Sequence, residues 1–257
     1  MYETINYKIE EQVAWITLNR PDKLNAFTDQ MNKDIIAALE ASNKNPEVRV
    51  VIIAGSGKAF CSGEDLSGIK EDADHREMIL TRYKPMMEAL ANVEKPTIAA
   101  VNGAAAGAGF SLALGCDFRI ASEKAFFLQA FINIGLIPDS GSLYYLPRIV
   151  GLAKTLELTI LGEKLSAMDA KEYGLVTSVV TPNRLIDETQ AFAEELASKP
   201  TKAIGLLKRY LYKSFETPLE EMLDMEAYGQ KAAGQTEDYK EGIKAFMDKR
   251  KPKYKGK

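Results

Sequence analysis

Residues 95–141 run KPTIAAV (95–101), NGAAAGAGFS (102–111), LALGCDFRIASEK (112–124), AFFLQAFIN (125–133) and IGLIPDSG (134–141). The pattern predicts a strand over Thr97–Val101, a glycine-rich turn, a short apolar helix opened by Ala108, a second strand, and a turn at Pro138-Asp139-Ser140-Gly141. Side chains between Asn102 and Ser111 are too small to cover the backbone, so its N–H groups can face a ligand at a helix N-terminus. That favours an oxyanion or a phosphate.

Three architectures compete for this run. A dinucleotide fingerprint fails in detail: Leu112 stands where the third glycine belongs, the helix is short, and Glu123 comes early for a ribose ligand. A membrane span over Thr97–Cys116, with its Gly103-x-x-x-Gly107 pair, is weak because the run is mostly Ala and Gly, contains Asn102 and lacks aromatic or basic anchors. A buried strand feeding an active-site helix fits best. The glycines by themselves serve close helix packing as readily as a ligand, and the run alone leaves both readings open.

Further out, Arg49-Val-Val-Ile-Ile53 is a nearly continuous apolar run closed by Gly55-Ser-Gly57, the signature of a strand buried on both faces of a parallel α/β sheet. Gln12–Asn19 reads as another strand, and Thr28 as the cap of a helix reaching Leu39. Gly63, in KAFCSGEDL (58–66), follows shortly after a strand, where α/β sheets place ligand loops. Polarity rises from Ser67 to Val93, with Lys70-Glu-Asp-Ala-Asp-His75-Arg-Glu near its start, where mobility is expected; the helix that follows carries Tyr83, Met86, Met87 and Leu90, whose Met and aromatic positions suit the core or the lining of an acyl pocket better than a cofactor box. His75, the only histidine, lies among charges and reads as a solvated surface residue, which disfavours a Ser-His-Asp triad and a histidine zinc site. A helix is predicted over Leu152–Leu161 and ended by Gly162, another is capped by Ser166 and stopped by Gly174, and the strand Leu175–Val180 precedes Pro182. From Leu185 to Lys249 the pattern is helical, broken near Ser198-Lys-Pro200 and Thr217-Pro218. Residues 1–195 thus read as an α/β core and 196–257 as a helical appendage.

The 257 residues are 46% hydrophobic with a formal net charge of −3, enough for a substantial core and without a pull toward nucleic acid or an anionic membrane. Two cysteines, Cys61 and Cys116, make no metal spacing and suit a reducing compartment. Early acids and the lack of an apolar stretch near Met1 suggest no signal peptide, so a cytoplasmic location is expected. No internal repeat is visible. The basic end, Lys249-Arg-Lys-Pro-Lys-Tyr-Lys-Gly-Lys, reads as a solvated tail.

Taken together in order and spacing, LNRPDKLNA (18–26), KAFCSGEDL (58–66), KPTIAAVNG (95–103), GAGFSLA (107–113), Cys116-Asp117, GLIP (135–138) and FMDKR (246–250) resemble the crotonase superfamily, the enoyl-CoA hydratase/isomerase family. The resemblance spans nearly the whole chain. It implies an α/β spiral of ββα repeats with a C-terminal α-helical region that packs against neighbouring subunits in homo-trimers or hexamers. Acyl-CoA thioesters are the implied substrates; coenzyme A is part of the substrate, and no separate cofactor, metal, nucleic acid or membrane partner is expected. Carried onto matching positions, the backbone N–H groups of Glu64 and Ala108, in the loops of Gly63 and Gly107, would bind the thioester carbonyl and stabilise an enolate. Lys23, Leu24 and Ala26 would flank the nucleotide, and Ser62, Asp65 and Leu66 the adenine and pantetheine. Phe246 and Lys249 would reach CoA on a neighbouring subunit.

The chain departs from the hydratase pattern, which places one glutamate where Ser111 stands and another where Phe131 stands. Neither residue replaces a carboxylate that activates water or protonates carbon. Asp139 sits where several family isomerases and the 4-chlorobenzoyl-CoA dehalogenases carry an acid, and one carboxylate suffices to move a proton between two carbons. A turn would accept the same Pro-Asp-Ser-Gly without catalysis. FCxGxDL together with IGLxPDSG is similar to the phenylacetate-pathway isomerases, and Phe126, Phe127, Phe131, Tyr144 and Tyr145 suit either an aromatic acyl pocket or the core. An isomerase is therefore expected ahead of a hydratase, with a catalytically weak acyl-CoA-binding partner subunit or an RNA-binding protein as other classes.

Overall fold

A computed structural model describes residues 2–68 and 73–257; positions 69–72, where mobility was expected, lie outside it. The strands are β1 (Ile5–Glu10), β2 (Val13–Leu18), β3 (Val50–Gly55), β4 (Ala59–Cys61), β5 (Thr97–Val101), β6 (Ala104–Ala106), β7 (Phe118–Ser122), β8 (Phe126–Leu128), β9 (Leu165–Ser166) and β10 (Ser178–Val180). They form a six-stranded sheet in the order β1-β2-β3-β5-β7-β10 and a four-stranded sheet in the order β4-β6-β8-β9. From β3 to β8 each pair of consecutive strands sends its first member to the large sheet and its second to the small one. A helix closes each pair, so the chain winds as a spiral of ββα turns. The repeat is geometric and leaves no sequence period.

Four of the five junctions in the large sheet are parallel; β1 alone is antiparallel, joined to β2 through Glu11 and Gln12, both at positive φ. Alternation along the central strands explains their unbroken apolar runs. Val51, Ile53, Ala99 and Val101 pack toward α1 (Asp29–Lys44) and the small sheet, while Val50, Ile52, Ile98 and Ala100 pack with Trp15 and a later helix. Thr28 caps α1 by accepting a hydrogen bond from Met31 N at 3.2 Å. The helix extends to Lys44, one turn beyond the predicted Leu39.

The second ββα turn carries α2 (His75–Met78), a π-helical turn (Ile79–Tyr83) and α3 (Lys84–Ala91) in direct succession. The third carries α4 (Ala108–Gly115), every residue of which is buried. The fourth carries α5 (Ser142–Leu161), broken at Gly151, whose φ of 78° and ψ of 164° are not helical. Its first half, Ser142–Val150, is absent from the sequence expectation because Pro147 lies inside it. Then follow α6 (Ala167–Glu172), with Ser166 accepting from Asp169 N, and α7 (Leu185–Ala197).

Position 195 falls inside α7, whose Leu185, Ala193 and Ala197 pack on the outer face of the large sheet. Beyond it lie α8 (Thr201–Lys213), α9 (Leu219–Gly234) and α10 (Glu237–Met247). A half-buried ion pair, Lys208 Nζ to Asp117 Oδ2 at 2.6 Å, ties α8 to the core. The basic end is not a free tail. Lys255 N and Gly256 N donate to the Asp238 carboxylate at 2.6 and 2.8 Å, and Arg49 Nη1 donates to Tyr254 O at 3.0 Å. No helix among the described residues is long and apolar enough to cross a membrane; Thr97–Cys116 is divided among β5, β6 and α4.

Candidate active site

Two loops at the ends of small-sheet strands meet beside α4. In the first, Gly63 O accepts from Phe27 N at 2.7 Å and Asp65 N donates to Phe27 O at 3.0 Å. Because a trans peptide points its C=O and N–H to opposite sides, the Gly63–Phe27 bond turns the Glu64 N–H away from Phe27. In the second, Gly107 takes φ 52° and ψ −126°, which an L side chain would strain. Its N–H donates to Leu128 O at 2.9 Å, leaving Ala108 to open α4. A methyl group on Gly63 would lie 3.6 Å from Ala108 N, so the loops are in contact. Neither the Glu64 nor the Ala108 N–H has an acceptor among the described residues. Two free donors beside the positive end of a helix form a site for a developing negative oxygen.

Both residues line a cavity of about 280 Å³ whose floor includes Phe131 and whose wall includes Asp139. The Asp139 main chain makes the expected turn: its O accepts from Ser142 N at 3.0 Å and from Ser111 Oγ at 3.0 Å. Its carboxylate faces the cavity and accepts from Ser140 Oγ at 2.7 Å. Burial raises the Asp139 pKa above the usual carboxylate range and the charge of Glu64 adds to this, while the Ser140 bond and the proximity of His75 act against it. A carboxylate destabilised in this way is a stronger base than one in water.

Of the residues singled out from sequence, Ser62, Gly63, Glu64, Leu66, Gly107, Ala108, Phe131 and Asp139 line this one cavity. Leu24 and Ala26 sit next to it: Ser62 N donates to Leu24 O at 3.1 Å, and Arg20 bridges Ala26 O and the Asp65 carboxylate. Ser67 and Arg20 occupy that carboxylate and hold it well below its usual pKa. Lys23 is exposed in the same loop. Phe246, 84% exposed on α10, and Lys249 lie outside the cavity.

His75 departs from its sequence reading: it is exposed, but on the cavity rim facing Asp139. Of the five candidate pocket aromatics only Phe131 lines the cavity. Phe127 packs on Phe110 in the core, at 5.1 Å between ring centroids, and Tyr144 and Tyr145 line a separate hollow with Met87. Tyr83, Met78, Ala130, Ile134 and Leu136 also line it among the described residues; Tyr83 falls among the positions read as core or acyl pocket and Ile134 and Leu136 in the IGLIPDSG stretch, whereas no local signal marks Met78 or Ala130. Among the described residues no cluster of three or more metal-ligating side chains occurs.

Residues 8–257 match the family model described as enoyl-CoA hydratase/isomerase. The 1,2-epoxyphenylacetyl-CoA isomerase of Escherichia coli K12 is 40% identical over 262 residues, covering 100% of both chains. The chain belongs to the enoyl-CoA hydratase/isomerase family. A probable enoyl-CoA hydratase of Rhodobacter capsulatus is also 40% identical, over 99% of both chains. The crystal structure of an enoyl-CoA hydratase subunit I of Geobacillus kaustophilus HTA426 superposes with a TM-score of 0.94 at 38% identity, covering 100% of this chain and 99% of that one. The spiral of ββα turns with its C-terminal helices is the crotonase fold. Hydratase and isomerase names both occur among these relatives, so the choice between the two chemistries rests on the residues at the cavity.

Proposed function

We propose that this enzyme isomerises acyl-CoA thioesters, with Asp139 as the single carboxylate that carries the proton. The observation that carries this reading is the composition of the cavity wall. It joins Asp139 to the two unengaged N–H groups of Glu64 and Ala108, while Phe131 on that wall and Ser111, buried behind it against the Asp139 main chain, stand where hydration would need carboxylates. The thioester carbonyl accepts from both N–H groups. Asp139 removes a proton from the carbon next to the carbonyl or from the γ carbon, negative charge moves onto the oxygen as an enolate, and the same carboxyl returns the proton to the other carbon. Losing one such donor costs about 3–4 kcal/mol of barrier. The apolar floor around Phe131 suits an unsaturated or ring-modified acyl group, in line with the name of the Escherichia coli relative.

Hydration is the second reading, favoured by the names of other relatives. Its second carboxylate would have to be Glu64, the other acid on the cavity among the described residues, and that side chain is bound by Arg82 and Tyr83. The test is Asp139→Asn assayed on 3-hexenoyl-CoA in deuterated water. Isomerisation and proton exchange are expected to fall about 10²- to 10⁴-fold. Normal turnover by the variant, or crotonyl-CoA hydration by the wild type at the rate of a dedicated hydratase, overturns the reading.

A further inference from the structure

Glu64 contributes a backbone donor to the cavity, and its side chain is engaged in an unusually complete network. Arg82 Nη1 and Nη2 donate to its two carboxylate oxygens at 2.8 and 2.9 Å, with both side chains 15% exposed. The Tyr83 hydroxyl donates to Oε2 as well. Arg82 Nε and Nη2 also donate to Asn32 Oδ1 at 3.2 and 3.0 Å, and Asn32 and Tyr83 are each 1% exposed. Adjacent side chains diverge around an α-helix. Here Arg82 and Tyr83, the last two residues of the π turn Ile79–Tyr83, converge on one carboxylate. Such turns recur at functional sites.

Stability alone does not account for the network, because a buried ion pair roughly breaks even against apolar residues of the same shape. Two needs of the cavity do account for it. The Glu64 N–H must keep the direction that the Gly63–Phe27 bond gives it, and the network anchors the side chain of the same residue. An unneutralised carboxylate beside Asp139 would also disfavour the ionised form of the base and the negative enolate.

We propose that Arg82, completed by Tyr83 and Asn32, is a positioning residue: it fixes the Glu64 backbone donor toward the thioester carbonyl and neutralises the Glu64 carboxylate beside Asp139. This rests on the isomerase reading given above. Among the described residues, the charged or titratable groups facing Asp139 are Glu64 from the loop after β4 and His75 from α2, with Tyr83 on the same cavity wall.

The test is a set of variants assayed on 3-hexenoyl-CoA across pH. Arg82→Met is expected to lower kcat about 10- to 100-fold with KM within about twofold, a partial loss of one oxyanion donor. It should also move the acid limb of kcat/KM upward by on the order of half a pH unit, since the Glu64 charge is then uncompensated. Glu64→Gln should move that limb downward. Arg82→Lys, which keeps the charge without the two-pronged geometry, should leave the limb in place and recover part of kcat. A purely structural role would lower activity without displacing the limb in opposite directions. Limbs unmoved in both Arg82→Met and Glu64→Gln overturn the proposal, as does an unmoved Glu64→Gln limb alone if Arg82→Met does not fold. Failure of the isomerase reading would show separately, as wild-type protein that exchanges no proton of 3-hexenoyl-CoA.

Discussion

Ser111 Oγ lies 3.0 Å from the main-chain oxygen of Asp139, joining the helix that presents the Ala108 donor to the turn that presents the base. The same hydroxyl is 3.3 Å from Gly107 O, one turn earlier on α4. A position where family hydratases carry a catalytic carboxylate is occupied here by a fastener between two parts of the site.

The first prediction follows from that contact. Ser111→Ala removes one bond to Asp139 O but leaves the one from Ser142 N, so the turn loses part of its hold without an orphaned acceptor. A net loss of about 1 kcal/mol is expected. Steady-state assays should show kcat reduced by only a few-fold, well short of the loss in Asp139→Asn. Abolition of activity would mean that the hydroxyl moves a proton itself.

Burial raises the pKa of Asp139, and this ties catalysis to stability. Below the raised value the base is protonated, so kcat/KM should fall as pH drops through it. Stability runs the other way. The folded state holds the proton to higher pH than the unfolded state does, so this group's contribution becomes less favourable as pH rises from the unfolded carboxylate value to the folded one. Asp139→Asn, which can still accept from Ser140, is expected to melt higher than wild type at neutral pH. The difference should vanish in acid, below the unfolded carboxylate pKa. A variant that melts lower at neutral pH would show that the carboxylate stabilises the fold.

Much of the fold was legible because its central strands announce burial on both faces. Arg49-Val-Val-Ile-Ile53 and Thr97–Val101 have no polar side to misplace, and Thr28, Ser166 and Gly162 mark helix ends by local chemistry. Strand β1 is not marked in the sequence although Ile5, Tyr7 and Ile9 alternate, because its turn uses Glu11 and Gln12 at positive φ instead of an Asn-Gly pair. The start of α5 is hidden in the sequence because Pro147 argues against a helix there. At the site, the donors and the base sit in motifs that can be read as strings. His75 on the rim, Tyr83 in the wall and Arg82 on Glu64 are long-range meetings, and no window of sequence contains both partners.

The C-terminal helices bury little of their own surface: of the 16 residues in α9 only Gly229 is buried, and Leu219, Tyr228 and Phe246 are 75%, 73% and 84% exposed. Large apolar side chains left this exposed along the C-terminal helices mark an interface, since single chains rarely leave apolar patches uncovered. A second copy of this chain is the expected occupant, in trimers or hexamers. Light scattering at micromolar concentration should report one of these, and Leu219→Asp combined with Phe246→Asp should shift the species toward monomer. A monomeric wild type would overturn the expectation.

Gly109, the second residue of α4, is where packing and helix propensity oppose each other most directly. Replacing it with alanine would favour the helix by about 1 kcal/mol if nothing else changed. The added methyl, however, would lie 2.3 Å from Cys61 O and 2.7 Å from Cys61 Cβ, a contact with strand backbone that no rotamer change relieves. Overpacking of this kind costs about 1–3 kcal/mol and shifts backbone. Any shift must carry Ala108 with it, and a donor displaced by a fraction of an ångström loses much of its value to the enolate oxygen. Gly109→Ala should therefore unfold at lower denaturant than wild type and lose more in kcat than in thioester KM. A variant that is more stable and fully active would show that the approach of α4 to Cys61 is loose, and with it the placing of the Ala108 donor.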